Sequence, residues 1–219
     1  MKHAAHRQHV VDLCLELSRR GYFAGTGGNI MLRIDAAHVA VTPSAIDYQV
    51  MQAADVCVLR LADLSVVDGG RAPSVESSLH ARVLRARPDV GCSIHTHQPV
   101  ASACALLGRA LDVPAELRPS LGPRVPLVGY APSGTSWLAS KLARALAADC
   151  NAYLMRNHGI LCCGPDSVAA MQAVEDLETL ARTELTRRIA LRLRELPGTA
   201  PALLRIADVL STPLSHAPS

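Results

Sequence analysis

Two histidines one residue apart, His95 and His97, close a short apolar run, Val90-Gly91-Cys92-Ser93-Ile94. That run predicts a buried strand. Alternate side chains of a strand face the same side, so His95 and His97 point together. Their ring nitrogens can then meet on one ion at roughly 2.0–2.1 Å each. Pro99 follows at once and ends or re-aims the strand. The pair therefore sits at a strand end, where an open coordination site is reached from solvent. An isolated His-X-His is more often two ordinary histidines. Here it has company: Glu76 lies upstream, and Asn157-His158-Gly159 closes a second apolar run downstream.

The chain has 219 residues, 49% hydrophobic and 19% charged. That suits one globular domain, expected over 1–195, with a C-terminal tail over 196–219. The net charge of +3 is spread out, with no basic stripe and no run of aromatics, which argues against a nucleic-acid partner. Phe, Trp and Tyr together number six, so Ala, Leu, Val and Ile must build the core. Seven cysteines with no Cys-X-X-Cys spacing read as small buried hydrophobes in a reducing compartment. The segment after Met1-Lys2-His3 is amphipathic rather than an apolar signal. No apolar run approaches the ~20 residues that span a bilayer. The expectation is a cytoplasmic protein without a membrane partner.

Apolar residues at helical spacing predict a helix over 4–20, closed by Gly21. Gly25-Thr26-Gly27-Gly28-Asn29 follows as a loop needing unusual backbone angles. Residues 30–34 and 38–41 predict a hairpin, and 56–61 pairs with 64–67 in a second. Ser74 is expected to cap a helix with Glu76 in its first turn and Leu79, Val83 and Leu84 on its apolar face. Residues 100–107 predict a buried helix, 110–124 an ordered loop, and 125–128 a short strand. Ser133-Gly134-Thr135 caps a helix to about Ala147. Strands at 152–155 and 159–162 flank His158, and Asp166 starts a helix to about Leu193. The fold expected is α/β of the three-layer α+β type, a central, mostly antiparallel sheet covered by helices. The glycine loop precedes a strand rather than a helix, so it is not a dinucleotide fingerprint.

Three neutral imidazoles hold a divalent ion while leaving positions open for substrate. Such an ion polarises a carbonyl or hydroxyl oxygen. A nearby carboxylate can ligate the ion or act as general base. Glu76 is the candidate, and a simple helix-dipole role is the alternative at that position.

In combination and in order, these residues resemble the class II aldolase/adducin family over about residues 5–190. The matching pieces are Gly25-Thr26-Gly27-Gly28-Asn29, Val41-Thr42-Pro43-Ser44, Pro73-Ser74-Val75-Glu76, His80, Pro88-Asp89, His95-Thr96-His97, Tyr130-Ala131-Pro132-Ser133-Gly134-Thr135 and Asn157-His158-Gly159. The resemblance implies that His95, His97 and His158 bind the metal. It implies that Glu76 both ligates it and serves as acid and base. Zinc is the first choice, with Mn2+, Co2+ or Fe2+ also fitting. It further implies a homotetramer with sites between adjacent subunits.

The departures bear on substrate. Family members that handle sugar phosphates cradle the phosphate with hydroxyls and a Thr-Gly pair; here the positions read Thr26-Gly27-Gly28-Asn29, Ser44-Ala45 and Ser74-Val75. Gly27, Ala45 and Val75 offer no side-chain donor, and an anion with unmet hydrogen bonds is costly to bury. Thr26, Gly28, Asn29, Ser44 and Ser74 are therefore expected to bind an unphosphorylated substrate. Arg118 is expected to serve a carboxylate, with a solvated loop charge as its alternative. The reading is a metal-dependent aldolase-type lyase that cleaves or forms a C–C bond in a small hydroxylated carbonyl or carboxylate compound through a metal-stabilised enolate. A decarboxylase of a hydroxy, keto or aromatic acid is the alternative, followed by an epimerase and by a non-catalytic adducin-like interaction module.

Overall fold

Period-two burial sorts the strands into one sheet with two differently covered faces. The structure, a computed structural model, describes residues 2–23, 26–196, 198 and 200–211. In chain order its strands are β1 (Asn29–Arg33), β2 (His38–Val41), β3 (Cys57–Arg60), β4 (Val66–Asp68), β5 (Cys92–Thr96), β6 (Leu111–Asp112), β7 (Arg124–Val125), β8 (Leu127–Val128), β9 (Ala152–Met155) and β10 (Gly159–Gly164). Among the described residues, eight of them form one sheet in the order β4-β3-β2-β1-β5-β10-β9-β8, with β5 inside it. Every pairing in that sheet is antiparallel except β8 with β9. The expected α/β fold with a mostly antiparallel sheet is what forms.

Ile30, Leu32, Ile94, Leu154 and Ile160 face one core, shared with α1 (Ala4–Arg19), α3 (Pro99–Ala105) and α6 (Ser167–Glu195). Met31, Tyr153, Met155 and Leu161 face the other, beneath α2 (Ser77–Ala86) and α5 (Ser136–Ala145). The alternation that separates the two cores also puts Asn29, Ser93 and His95 on the α2 side. All seven cysteines are buried and unpaired.

Local chemistry sets the ends of these elements. Gly21, at φ 74°, closes α1 with Gly21 N–H bonded to Ser18 and Tyr22 N–H to Leu17, the two bonds of a Schellman end. Asp35 accepts from the N–H groups of Ala37 and His38 and so fixes the β1–β2 turn. Thr135 and Asp166 cap α5 and α6 through Leu138 N–H and Ala169 N–H.

Three expectations are corrected. Helix α2 starts at Ser77, and Glu76 occupies its N-cap position instead of its first turn. The Ser74 N–H is bonded to Thr42, and a Pro43–Pro73 bridge keeps the preceding residues extended. Residues 110–124 are not a plain loop. Pairing of Leu111 with Val125 orders them into β6 and β7 around a 3-10 turn (Ala115–Leu117) and the short helix α4 (Arg118–Leu121). The strand expected over 125–128 is split at Pro126, which has no N–H to donate: β7 pairs with β6 and β8 joins the main sheet. In the tail, residues 200–211 form α7, which packs along α6 with Leu210 buried. Gly25 lies outside the described residues.

Candidate active site

Three elements bring the histidines together. His95 is on β5, directly opposite Asn29 of β1, and His97 follows just past the strand end. His158 sits in the β9–β10 connection, where Asn157 takes φ 55° and His158 N–H bonds to the Met155 carbonyl. Asn tolerates that left-handed conformation better than most side chains. Gly159 leaves room for the rings: a Cβ there would lie 2.6 Å from His97 and 3.0 Å from His95. The ring centroids stand 4.7 Å (His95–His97), 4.8 Å (His95–His158) and 5.4 Å (His97–His158) apart. One ring nitrogen from each of the three lies within 4.8 Å of the others.

Glu76 reaches this cluster from the start of α2. Its Oε1 accepts from Ser133 Oγ at 2.8 Å and meets His158 Nε2 at 3.0 Å. Its Oε2 accepts from Asn29 Nδ2 at 2.8 Å and lies 3.3 Å from His95 Nε2. Burial works to raise the Glu76 carboxyl. The His158 hydrogen bond, electrostatic attraction to the His95 ring and the Asn29 amide outweigh it and hold the group well below the ordinary carboxylate range. Burial pushes His95 down to about 3, and lowers His97 as well. These two imidazoles are therefore neutral near pH 7, the form a metal requires.

The donor set fits a divalent cation. The Ile160 carbonyl can only accept, so His95 Nδ1 donates to it at 2.6 Å and Nε2 keeps its lone pair. That lone pair faces His97 Nε2 at 2.9 Å and Glu76 Oε2. A divalent cation between these atoms would satisfy the His95 lone pair and the carboxylate together. His158 Nδ1 is, besides, a buried nitrogen with no hydrogen-bond partner among the described residues. The three histidines can hold a divalent metal ion.

The remaining expected site residues divide. Asn29 is in the cluster. Gly28, at φ 97°, abuts the Phe23 ring and the His95 carbonyl, and its own carbonyl accepts from the Tyr48 hydroxyl at 2.5 Å. Thr26 is exposed on the same loop. Ser44 and Ser74 lie on the two bridged segments, where Ser44 N–H bonds to Ala72; Ser74 Oγ accepts the Glu76 N–H. Arg118 is not brought to the cluster. It is exposed on α4, and its Nε donates to the Val113 carbonyl. Sequence reasoning gave Ser133, His80 and Ser93 no role in the site. His80 and Ser133 stood inside quoted motifs, but only the tertiary structure shows what they touch.

A family model, Class II Aldolase and Adducin N-terminal domain, matches residues 8–185. The chain belongs to this family. It is 32% identical over 177 residues to 5-deoxy-D-ribulose 1-phosphate aldolase of Bacillus thuringiensis serovar kurstaki, covering 80% of this chain and 82% of the relative. It is 30% identical over 192 residues to methylthioribulose-1-phosphate dehydratase of Serratia proteamaculans, covering 82% and 94%. A solved L-fuculose 1-phosphate aldolase superposes with a TM-score of 0.78 at 28% identity, covering 86% of this chain and 88% of that one. Aldolases and a dehydratase are lyases, and these class II aldolase homologues support a lyase-type enzyme. No helix among the described residues is long and apolar enough to cross a membrane.

Proposed function

We propose that this chain is a divalent-metal-dependent lyase of the aldolase type. It cleaves or forms a carbon–carbon bond in a small hydroxylated carbonyl or carboxylate compound. The observation that carries this reading is the convergence of His95, His97 and His158 on Glu76, a buried carboxylate held ionised in contact with two of them. A bound divalent ion, zinc first by the imidazole donor set, supplies Lewis-acid stabilisation of charge developing on a carbonyl oxygen. Glu76 takes the substrate hydroxyl proton as the bond breaks and holds it for return to carbon. Asn29 and Ser133 keep the carboxylate oriented from opposite oxygens.

The loops around the cluster support an unphosphorylated substrate. Asn29 is committed at both ends of its amide, to Glu76 and to His80. Val75 is 65% exposed and lies against Gly134, an apolar surface where an anion needs a donor. Thr26, Ser44 and Ser74 remain to bind hydroxyls or a carboxylate, with Gly28 shaping the loop. The same reading carries a homotetramer, in which the exposed Arg118 serves the site of a neighbouring subunit.

The test is metal content of the purified protein, then mass-detected turnover of two panels, hydroxy- and keto-acids without phosphate and phosphorylated ketoses. About one metal per chain with aldol cleavage in the acid panel is expected. Turnover of sugar phosphates alone overturns the substrate class, and carbon dioxide release replaces the aldolase with a decarboxylase. Absence of both metal and turnover after reloading leaves a binding module.

A further inference from the structure

His80, on α2, is fully buried, and each of its ring nitrogens has one partner. Nδ1 lies 2.8 Å from Ser93 Oγ and Nε2 lies 2.6 Å from Asn29 Oδ1. Asn29 in turn meets Glu76 Oε2 through Nδ2 at 2.8 Å. His80 stands one helical turn after Glu76, Ser93 precedes His95 by two residues on β5, and Asn29 pairs with His95 across β1–β5. One line of side chains therefore runs from inside the protein to the carboxylate.

The direction of this line is fixed from its outer end. An ionised carboxylate only accepts, so Asn29 must turn its NH2 to Glu76. Its carbonyl oxygen is then left facing His80, so the neutral imidazole carries its proton on Nε2. Nδ1 is then an acceptor, and the Ser93 hydroxyl donates to it. Ser93 and His80 are fully buried and Asn29 nearly so, and reversing one link leaves two donors or two acceptors face to face.

We propose that His80 is a positioning residue for Glu76: it pins the Asn29 amide in the one orientation that donates to the carboxylate. This rests on Glu76 being the proton carrier of the reading above. Asn29 can rotate its amide about its last torsion without displacing its backbone, and an inverted amide sets Oδ1 against Oε2 and pushes the carboxylate off its place among the imidazoles. The Nε2–H of His80, aimed by Ser93, blocks that inversion.

The experiment compares His80→Gln, His80→Leu and Ser93→Ala with the wild type, measuring metal content, kcat and KM on the substrate found above. Histidine-labelled protein is also read by long-range 1H–15N correlation, which reports the His80 tautomer whether or not a substrate is known. The Nε2–H tautomer is expected in the wild type. His80→Leu should lower kcat by about 10- to 100-fold, the usual cost of losing an outer partner of a metal site. KM and metal content should change little, and His80→Gln, whose amide still donates toward Asn29, should recover most of kcat. If His80→Leu does not fold, Ser93→Ala carries the test, with kcat lowered at unchanged KM. An Nδ1–H tautomer overturns the proposal, as does wild-type kcat in His80→Leu, or in Ser93→Ala where the leucine variant does not fold. Equal loss in His80→Gln and His80→Leu makes the residue structural only and also overturns it. Absence of wild-type turnover on both panels defeats the lyase reading instead, while the tautomer still reports on the hydrogen-bond line.

Discussion

Glu178 of α6 accepts the backbone N–H groups of both Val100 and Ala101, at 3.1 and 2.9 Å. It thereby closes the start of α3, which has no side-chain cap of its own. Gln98 adds a second tie, donating to the Val174 carbonyl on α6 and accepting from Thr96 Oγ1. These bonds hold the chain where it leaves β5, one residue after His97. Glu178→Gln keeps one acceptor and turns an NH2 against the other N–H. A loss of about 1–3 kcal/mol is expected. Urea unfolding checks it, and an unchanged midpoint would show that α3 starts equally well without the carboxylate.

Each histidine of the cluster should matter separately to metal content. His95→Ala, His97→Ala and His158→Ala remove one of three imidazoles that stand within 4.8 Å of one another. Each variant is expected to lose most of its metal after dialysis against a weak chelator. Full retention in all three, by elemental analysis, would end the assignment. Glu76→Gln should retain more metal than these and lose turnover, because it changes the proton carrier and leaves all three imidazoles in place.

Acid should destabilise the metal-free protein through its buried imidazoles. Burial holds His80 at about 4, against 6.5 for an exposed histidine. Between those values the unfolded chain binds a proton that the folded chain refuses, so stability falls as pH drops from about 6.5 toward 4. A displacement of that size is worth roughly 3 kcal/mol. Burial displaces His95 in the same direction. Glu76 adds to the loss below about 4.5, since its carboxyl is held low in the folded state. Thermal melts of the metal-free protein from pH 7.5 to 4.5 should show a falling Tm. A flat profile, or a Tm that rises with acid, would mean that these imidazoles are not held neutral.

What the sequence makes legible here is what depends on neighbours in the chain. Short apolar runs located β1, β5 and β10, and Gly21, Thr135 and Asp166 marked helix ends through bonds made within a few residues. The histidine set was legible for the same reason: each member ends an apolar strand pattern. What remained hidden depends on distant partners. Ser133 finds Glu76 57 positions away, and His80 finds Asn29 51 positions away. The order within 110–124 comes from the pairing of β6 with β7, which local composition does not signal, and α7 rests on α6 with Leu210 as its buried residue. Glu76 falls one step outside its helix because the Pro43–Pro73 bridge, not its own propensity, decides where α2 begins.

Ala45 and Gly28 give opposite predictions from similar backbone angles. Ala45 has φ 51°, a left-handed conformation that costs a residue with a Cβ about 1–2 kcal/mol. Ala45→Gly removes that cost and adds roughly 0.5–1 kcal/mol of chain entropy to be lost on folding. A small gain in stability, of about 0.5–1 kcal/mol, is the expected balance. Gly28 has φ 97°, but its surroundings are also closed: an added Cβ would strike the Phe23 ring and lie 2.9 Å from the His95 carbonyl. Gly28→Ala must therefore move either the ring or β5 itself. Overpacking of this kind costs about 1–3 kcal/mol, over and above the backbone strain. Because the obstructing carbonyl belongs to a histidine of the cluster, metal affinity should fall along with Tm in Gly28→Ala, whereas Ala45→Gly should raise Tm without weakening the metal. Calorimetric melts with and without added zinc separate the two. A Gly28→Ala protein with wild-type Tm and metal affinity would show that the 26–29 loop and β5 are not packed as tightly as this contact requires.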